Sequence, residues 1–394
     1  MPSADPSSSR NVSVAQLTTL TASKTVSNFG VRWVPFFLPT LAVAFSATTG
    51  QMTAVLGIAE MAGLSTLLIA GHLDRGRERL AVVVAMVFVA AGSAIALFGS
   101  FGSFIVAYFL IVLGATLCTV GGHTFLSRRV RFERRARAIG IFEMSWALAL
   151  LIGAPGAAAL IDGVGWRGPF VVATALAAVM AVVTVRVPDR SEVLADASTP
   201  DPSRKLNTEA WLAIAASAST AAAGLTTVAI AGTWLDDALG VSTGGVGAVA
   251  MAFGIAELSA SSTSAAAADR VGPIRSTRIA LVVVIVGLIV MTQAGSTLAV
   301  GAVGLLIFFL GFEFSIVTSF SIVSESMPTA RGRVLATSTA VATVLRGAGV
   351  AVSGVLYEQF GVSGPAIVSM TAAATAIIAL TLLRHRQAFI SGQT

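Results

Sequence analysis

Twelve times along this chain the sequence runs for the length of a bilayer-spanning helix, about 20 residues, with little or no charge. Between those runs the arginines crowd every second loop. The runs cover residues 17–41, 53–70, 81–98, 104–126, 138–160 and 169–187, then 210–234, 244–268, 279–294, 298–323, 334–356 and 365–383. A hydrocarbon core of roughly 30 Å is crossed by about 20 helical residues at 1.5 Å each. Composition closes off the soluble alternatives. Of 394 residues, 55% are hydrophobic and 11% charged, and the mean hydropathy is +0.87. A soluble globular chain carries roughly 25% charge, so this one cannot cover a water-facing surface. The expected fold is an all-α membrane protein with twelve transmembrane helices. The first run is the least apolar, since it holds Lys24, Asn28, Arg32, Pro35 and Pro39. The ninth is the shortest, and Arg278 is placed to lengthen it by snorkelling.

The loops set the orientation. With the N-terminus inside, 21 of the 25 basic residues fall in cytosolic segments and only Arg167 lies outside; Lys24, Arg32 and Arg346 lie within spans. This bias places both termini in the cytosol of a plasma membrane, and short loops with many small residues suggest a bacterial one. It also explains the net charge of +6 without nucleic acid, because the basic clusters are loop anchors for membrane lipids. The polar segment 188–209, with Pro200 and Pro202, reads as a cytosolic linker between two six-helix halves, 17–187 and 210–384. Residues 1–16 read as a disordered tail and 385–394 as a second cytosolic tail. Cys118 is the single cysteine, which excludes an internal disulfide.

An internal repeat supports the two halves. Gly57-Ile58-Ala59-Glu60 in the second span recurs as Gly254-Ile255-Ala256-Glu257 in the eighth. Asp74-Arg75 after the second span recurs as Asp269-Arg270 after the eighth. Gly165-x-x-Gly168-Pro169 before the sixth recurs as Gly361-x-x-Gly364-Pro365 before the twelfth.

With these features the sequence resembles the major facilitator superfamily over nearly its whole length. The family's loop signature, roughly Gly-x-x-x-Asp-Arg-x-Gly-Arg-Arg, is similar to Gly71-His72-Leu73-Asp74-Arg75-Gly76-Arg77 in contracted form. The second copy, Asp269-Arg270-Val271-Gly272, keeps the Asp-Arg-x-Gly spacing. A carboxylate there can accept hydrogen bonds at a neighbouring helix N-terminus, so the resemblance implies a conformational latch at Gly71, Asp74, Arg75, Asp269, Arg270 and Gly272. Plain loop anchoring is the alternative. Gly140 through Gly153-Ala154-Pro155-Gly156 looks like a degenerate form of the Gly- and Pro-rich motif of proton-driven exporters, with Pro155 kinking the fifth span. One departure is clear. Such exporters carry an arginine in the fourth span, whereas 104–126 holds no charged residue, so coupling through that arginine is excluded.

Charged side chains within the spans are few: Lys24, Arg32, Glu60, Glu143, Glu257, Glu313 and Arg346. Such groups are expensive in a bilayer and mark function. None falls in spans 3, 6, 9 or 12, which the family fold places at the lipid-facing periphery. Lys24, Asn28 and Arg32 recur every fourth residue on one side of the first span. The fold would turn Arg32 and Glu313 toward a central cavity, with Lys24 either joining them or snorkelling to the interface. Carboxylates alone at mid-membrane, as Glu60 and Glu257 are placed, are natural proton-binding groups; a structural Glu–Arg pair is the alternative. Since the family fold packs the second span beside the eleventh, Glu60 and Arg346 are expected to meet in one state of a transport cycle. Glu143 serves the cavity or caps near Arg137, and Trp146 stacks flat substrates or packs.

No nucleophile–base pair or metal cluster points to an enzyme. The three histidines, His72, His123 and His385, are scattered, and neither lysine follows a phosphate-binding glycine loop. The expectation is a monomeric secondary transporter without cofactor, moving a small-molecule substrate on an ion gradient, with protons first among candidate ions. Four intramembrane carboxylates against three bases favour export of amphipathic or cationic compounds. Uptake of an organic anion or sugar-like solute, with Lys24 and Arg32 as contacts, is the alternative; a non-transporting membrane sensor is a third.

Overall fold

The computed structural model describes residues 12–65, 77–187, 205–327 and 330–390. The first half comprises α1 (Val14–Arg32), α2 (Leu38–Ala44), α3 (Thr49–Ala59), a 3₁₀ segment (Glu60–Ser65), α4 (Glu78–Ala96), α5 (Phe101–Arg129), α6 (Phe132–Leu151), α7 (Gly153–Val164) and α8 (Arg167–Arg186). The second comprises α9 (Thr208–Asp237), α10 (Thr243–Val271), α11 (Pro273–Thr292), α12 (Leu298–Glu325), α13 (Arg331–Phe360) and α14 (Ser363–Ile390). Each of the twelve runs is helical over most of its described residues. Ten helices pass as membrane spans on length and apolarity, and α2 with α3 pass together although bent by 106°. The protein is therefore a multi-pass membrane protein. The helix α1 is the exception in apolarity because it carries Lys24, Asn28 and Arg32.

Two ends differ from expectation. The first helix starts at Val14, inside the stretch read as a tail. Ser13 and Gln16 form a reciprocal capping box, which satisfies two backbone donors at the helix start. The last helix runs on to Ile390 past Arg384.

Among the described residues three spans are interrupted. The first breaks between Arg32 and Leu38, where Pro35 and Pro39 remove backbone donors. The fifth breaks at Ile152, ahead of Pro155, whose ring opposes the carbonyl four residues back at Leu151. The second tightens into 3₁₀ geometry at Glu60.

The Gly-x-x-Gly-Pro repeat has a geometric reason. Gly165 and Gly361 each end a helix at positive φ, +81° and +60°, where other residues are strained. A Cβ on Gly168 or Gly364 would press on the preceding helix, 3.1 Å from the Leu160 oxygen and 2.5 Å from that of Leu356.

Within the halves α4 packs on α5 and α8, α1 on α6, α9 on α13 and α14, and α11 on α12. The nearly enclosed α9 is rich in Ala, Ser and Thr. Hydroxyl pairs join Ser217 to Ser319 at 3.2 Å and Thr227 to Ser369 at 2.8 Å. The halves meet along two seams, α3 on α13 and α10 on α6–α7, with a smaller contact of α2 on α9. The start of α1 and the end of α14 define a terminal face; α3 and α14 begin on the opposite, far face. At the far face the Glu358 carboxylate accepts from Gly50 N at 2.7 Å, holding the positive end of α3 across the seam, and Gly354 N donates to Thr53 Oγ1 at 3.1 Å. At the terminal face the basic residues tie helix ends together. Arg128 and Arg129 reach the fully buried Glu78 at 2.8 and 3.2 Å, Arg79 Nε donates to Thr184 O at 2.8 Å, and Arg386 reaches Glu209 at 3.3 Å.

Candidate functional site

The repeated Gly-Ile-Ala-Glu lies on both seams. Gly57 is pressed so closely on α13 that a Cβ would stand 2.3 Å from the Gly347 oxygen; one on Gly254 would stand 3.0 Å from Leu151 N on α6. Small residues at such crossings let helix backbones approach. Almost one turn on, each glutamate takes an arginine from the other half. Glu60 pairs with Arg346 of α13, and Glu257 pairs with Arg32 of α1 at 2.7 Å. The two arginines are not equivalent by the repeat, since α1 corresponds to α9 rather than α13. The seams are thus related in carboxylate and different in partner.

Arg32 is the last residue of α1, at the break in the first span. Besides Glu257 it donates to the Trp146 carbonyl at 2.6 Å, and its guanidinium stands 5.0 Å from the Trp146 ring and 5.7 Å from the Phe253 ring. Phe253 stacks flat on Phe309 at 3.9 Å, and Phe312 lies beyond at 6.5 Å. Directly after Phe312 and one turn after Phe309 on α12 comes Glu313, 5% exposed. It lies in the field of Glu257 and Arg32, yet it makes no hydrogen bond or ion pair among the described residues. The Arg32–Glu257 pair, the unpaired Glu313 and the aromatic wall form a centre shared by both halves.

A second cluster lies within the first half. Lys24 is fully buried and donates to Glu143 Oε1 at 2.5 Å; His123 Nε2 is 2.6 Å from the same oxygen. Lys24 therefore does not snorkel. Its ammonium stands 4.4 Å from the Phe142 ring and 5.8 Å from that of Trp146. Glu143 is engaged by Lys24 and His123, not by capping near Arg137. Asn28, expected beside the cavity, is instead 1% exposed and donates to Ser145 at 3.2 Å, tying α1 to α6. His123, which the sequence offers only as an isolated histidine without a metal-ligand partner, joins this cluster through Glu143. Its place on an otherwise uncharged span was the available signal.

Gly71, Asp74 and Arg75 lie outside the described residues. Of the second latch copy, Asp269 and Arg270 end α10, and Gly272 turns the chain into α11 at φ +87°.

Solved structures with this architecture include a D-xylose–proton symporter, with TM-score 0.74 and 14% identity over 94% of this chain and 96% of that one. They also include a bacterial homologue of the human lysosomal transporter Spinster. Its inward-facing occupied form gives TM-score 0.72 and 15% identity over 93% and 95% of the two chains, and its unoccupied form 0.70 and 15% over 95% of each. No curated protein matches the sequence. The family model described as Major Facilitator Superfamily matches residues 20–336. Two helical halves meeting along glycine seams and the span of that match place this chain in the Major Facilitator Superfamily, as a membrane transporter.

Proposed function

We propose that this transporter exports small amphipathic or cationic organic compounds by alternating access, driven by proton entry, in the manner of the drug-efflux branch of its family. The observation that carries the reading is Glu313, a buried carboxylate with no hydrogen bond or ion pair among the described residues, one turn after Phe309 of the Phe253–Phe309 stack on α12. A cation with an apolar body satisfies both features. Anion or sugar uptake through Lys24 and Arg32 has less support, because both cations are already engaged, by Glu143 and Glu257. The Glu60–Arg346 pair is assigned to coupling. Parting of the halves separates the two charges, since each belongs to a different half.

Purified protein in liposomes with an imposed pH gradient decides between the readings. Lipophilic ammonium compounds should accumulate, while D-xylose and aromatic carboxylates should not; the reverse selectivity rejects the reading. Glu313→Gln should raise KM for a cationic cargo by roughly ten- to a hundredfold, the equivalent of a charged hydrogen bond of about 1.5–3 kcal/mol. A neutral cargo should be little changed.

The terminal face is assigned to the cytosol of a bacterial plasma membrane. In a Cys118→Ala background, a Ser203→Cys variant should resist an impermeant thiol reagent added to intact cells. Labelling from outside would reverse the orientation.

A further inference from the structure

The Lys24–Glu143–His123 cluster has no part in the cargo site or in the Glu60–Arg346 pair, yet it places an imidazole on a carboxylate already used by a sealed ammonium. We propose that His123 is a proton-binding switch that acts through Glu143 and Trp146 on the Arg32–Glu257 tie between the halves. The inference rests on the reading that transport proceeds by rocking of the halves, but not on the identity of the cargo.

The geometry is specific. One oxygen, Glu143 Oε1, receives Lys24 at 2.5 Å and His123 at 2.6 Å. With a neutral imidazole, Lys24 and Glu143 are a balanced pair and His123 is a neutral donor. A proton on His123 leaves two full cations on one carboxylate. Lys24 is sealed, whereas the side chains of His123 and Glu143 are 39% and 37% exposed, so the proton has access and the ammonium has no escape to water. The charged groups facing this point are Lys24 on α1 and Glu143 on α6, with Cys118 one and a half turns back on α5 and Glu257 of α10 acting on Lys24 from across the seam. Imidazole is the side chain that ordinarily changes charge between pH 5 and 8.

The connection to the seam runs through Trp146, three residues after Glu143 on α6. Its ring lies near Lys24 and Arg32, at 5.8 and 5.0 Å, and its carbonyl holds Arg32 at 2.6 Å. Arg32 is the first half's hold on Glu257. Added positive charge at His123 repels Arg32 along this line and weakens the hold, so acid favours the state in which the pair has parted. Because coupling is reciprocal, parting of the halves raises the affinity of His123 for a proton.

The test needs no transported compound. Spin labels on cysteines replacing Arg137 on α6 and Thr263 on α10, both exposed, report the distance across this seam in the full chain, in a Cys118→Ala background reconstituted in lipid. Between pH 8.5 and pH 5.5 the ratio of the distance populations should change on the order of tenfold, the effect of one unit of pKa difference between two states. His123→Gln keeps a donor to Glu143 without titrating and should hold the high-pH distribution throughout. His123→Lys, permanently charged, should hold the low-pH distribution throughout. A purely structural histidine would give both variants the same distribution. The proposal is overturned if either variant keeps the parent's pH response, or if the parent shows none. Failure of the cation-export reading would instead appear only as wrong cargo selectivity in the flux assay.

Discussion

Replacing Gly57 by alanine should slow transport by at least about tenfold while leaving a protein that inserts and purifies. The added Cβ would stand 2.3 Å from the Gly347 oxygen and 2.5 Å from Ala351 N. Both are backbone atoms of α13, which cannot swing aside as a flexible side chain does. The halves must separate or α3 must shift. Overpacking of this kind costs roughly 1–3 kcal/mol, a tenfold to hundredfold loss for the state in which the seam is closed. A transporter that must visit that state once per cycle slows accordingly. Gly163→Ala is the control, because nothing lies within 4 Å of a Cβ there. Exchange rates for both variants in liposomes give the comparison, and a Gly57→Ala protein that matches Gly163→Ala would show that the seam does not close tightly during transport.

Removal of the arginine on that seam should have the other large effect. Arg346→Ala leaves Glu60 at a half-enclosed position, 18% exposed, without its counter-charge. Breaking a fully buried pair on one side costs about 3–5 kcal/mol, and a partly exposed one less. Net transport and exchange should both fall, by roughly tenfold or more. Glu60→Gln, a fixed mimic of the protonated acid, should retain exchange and lose acceleration by a pH gradient. The double variant Glu60→Gln with Arg346→Ala should recover exchange relative to Arg346→Ala alone, because no uncompensated carboxylate remains. Flux with and without a gradient separates the three. If Glu60→Gln still concentrates cargo in response to pH, the coupling proton binds elsewhere, at His123, Glu257 or Glu313.

The spans were legible because lipid imposes one requirement on every residue of a run, and that requirement is local. The Glu60–Arg346 contact could be reached by combining the charges with the family's packing order. What stayed hidden depends on which side chain wins a partner. Arg32 and Glu313 were both expected at a central cavity, but Arg32 is taken by Glu257, and Glu313 has no ion-pair partner among the described residues. Asn28 shares the helix side of Lys24 and Arg32 yet is absorbed by Ser145. Lys24 has the stem length to snorkel, and only the arrival of Glu143 and His123 from two other helices makes burial the better outcome. Pro155 announced a kink, but its position at Ile152 follows from the carbonyl its ring displaces. The latch read at Asp74 falls outside the described residues and stays a proposal.

The 3₁₀ turn after Ala59 makes the second span adjustable in length. Six residues, Glu60–Ser65, rise about 12 Å at 2.0 Å each in this geometry and about 9 Å as α-helix. Rewinding them shortens the span by about 3 Å and turns its lower end by about 120°, since each residue advances about 120° in one form and about 100° in the other. The ion pair with Arg346 sits at the upper end of this segment. The pair therefore fixes the upper end of the segment against α13, so that any such rewinding is referred to a point held by the other half.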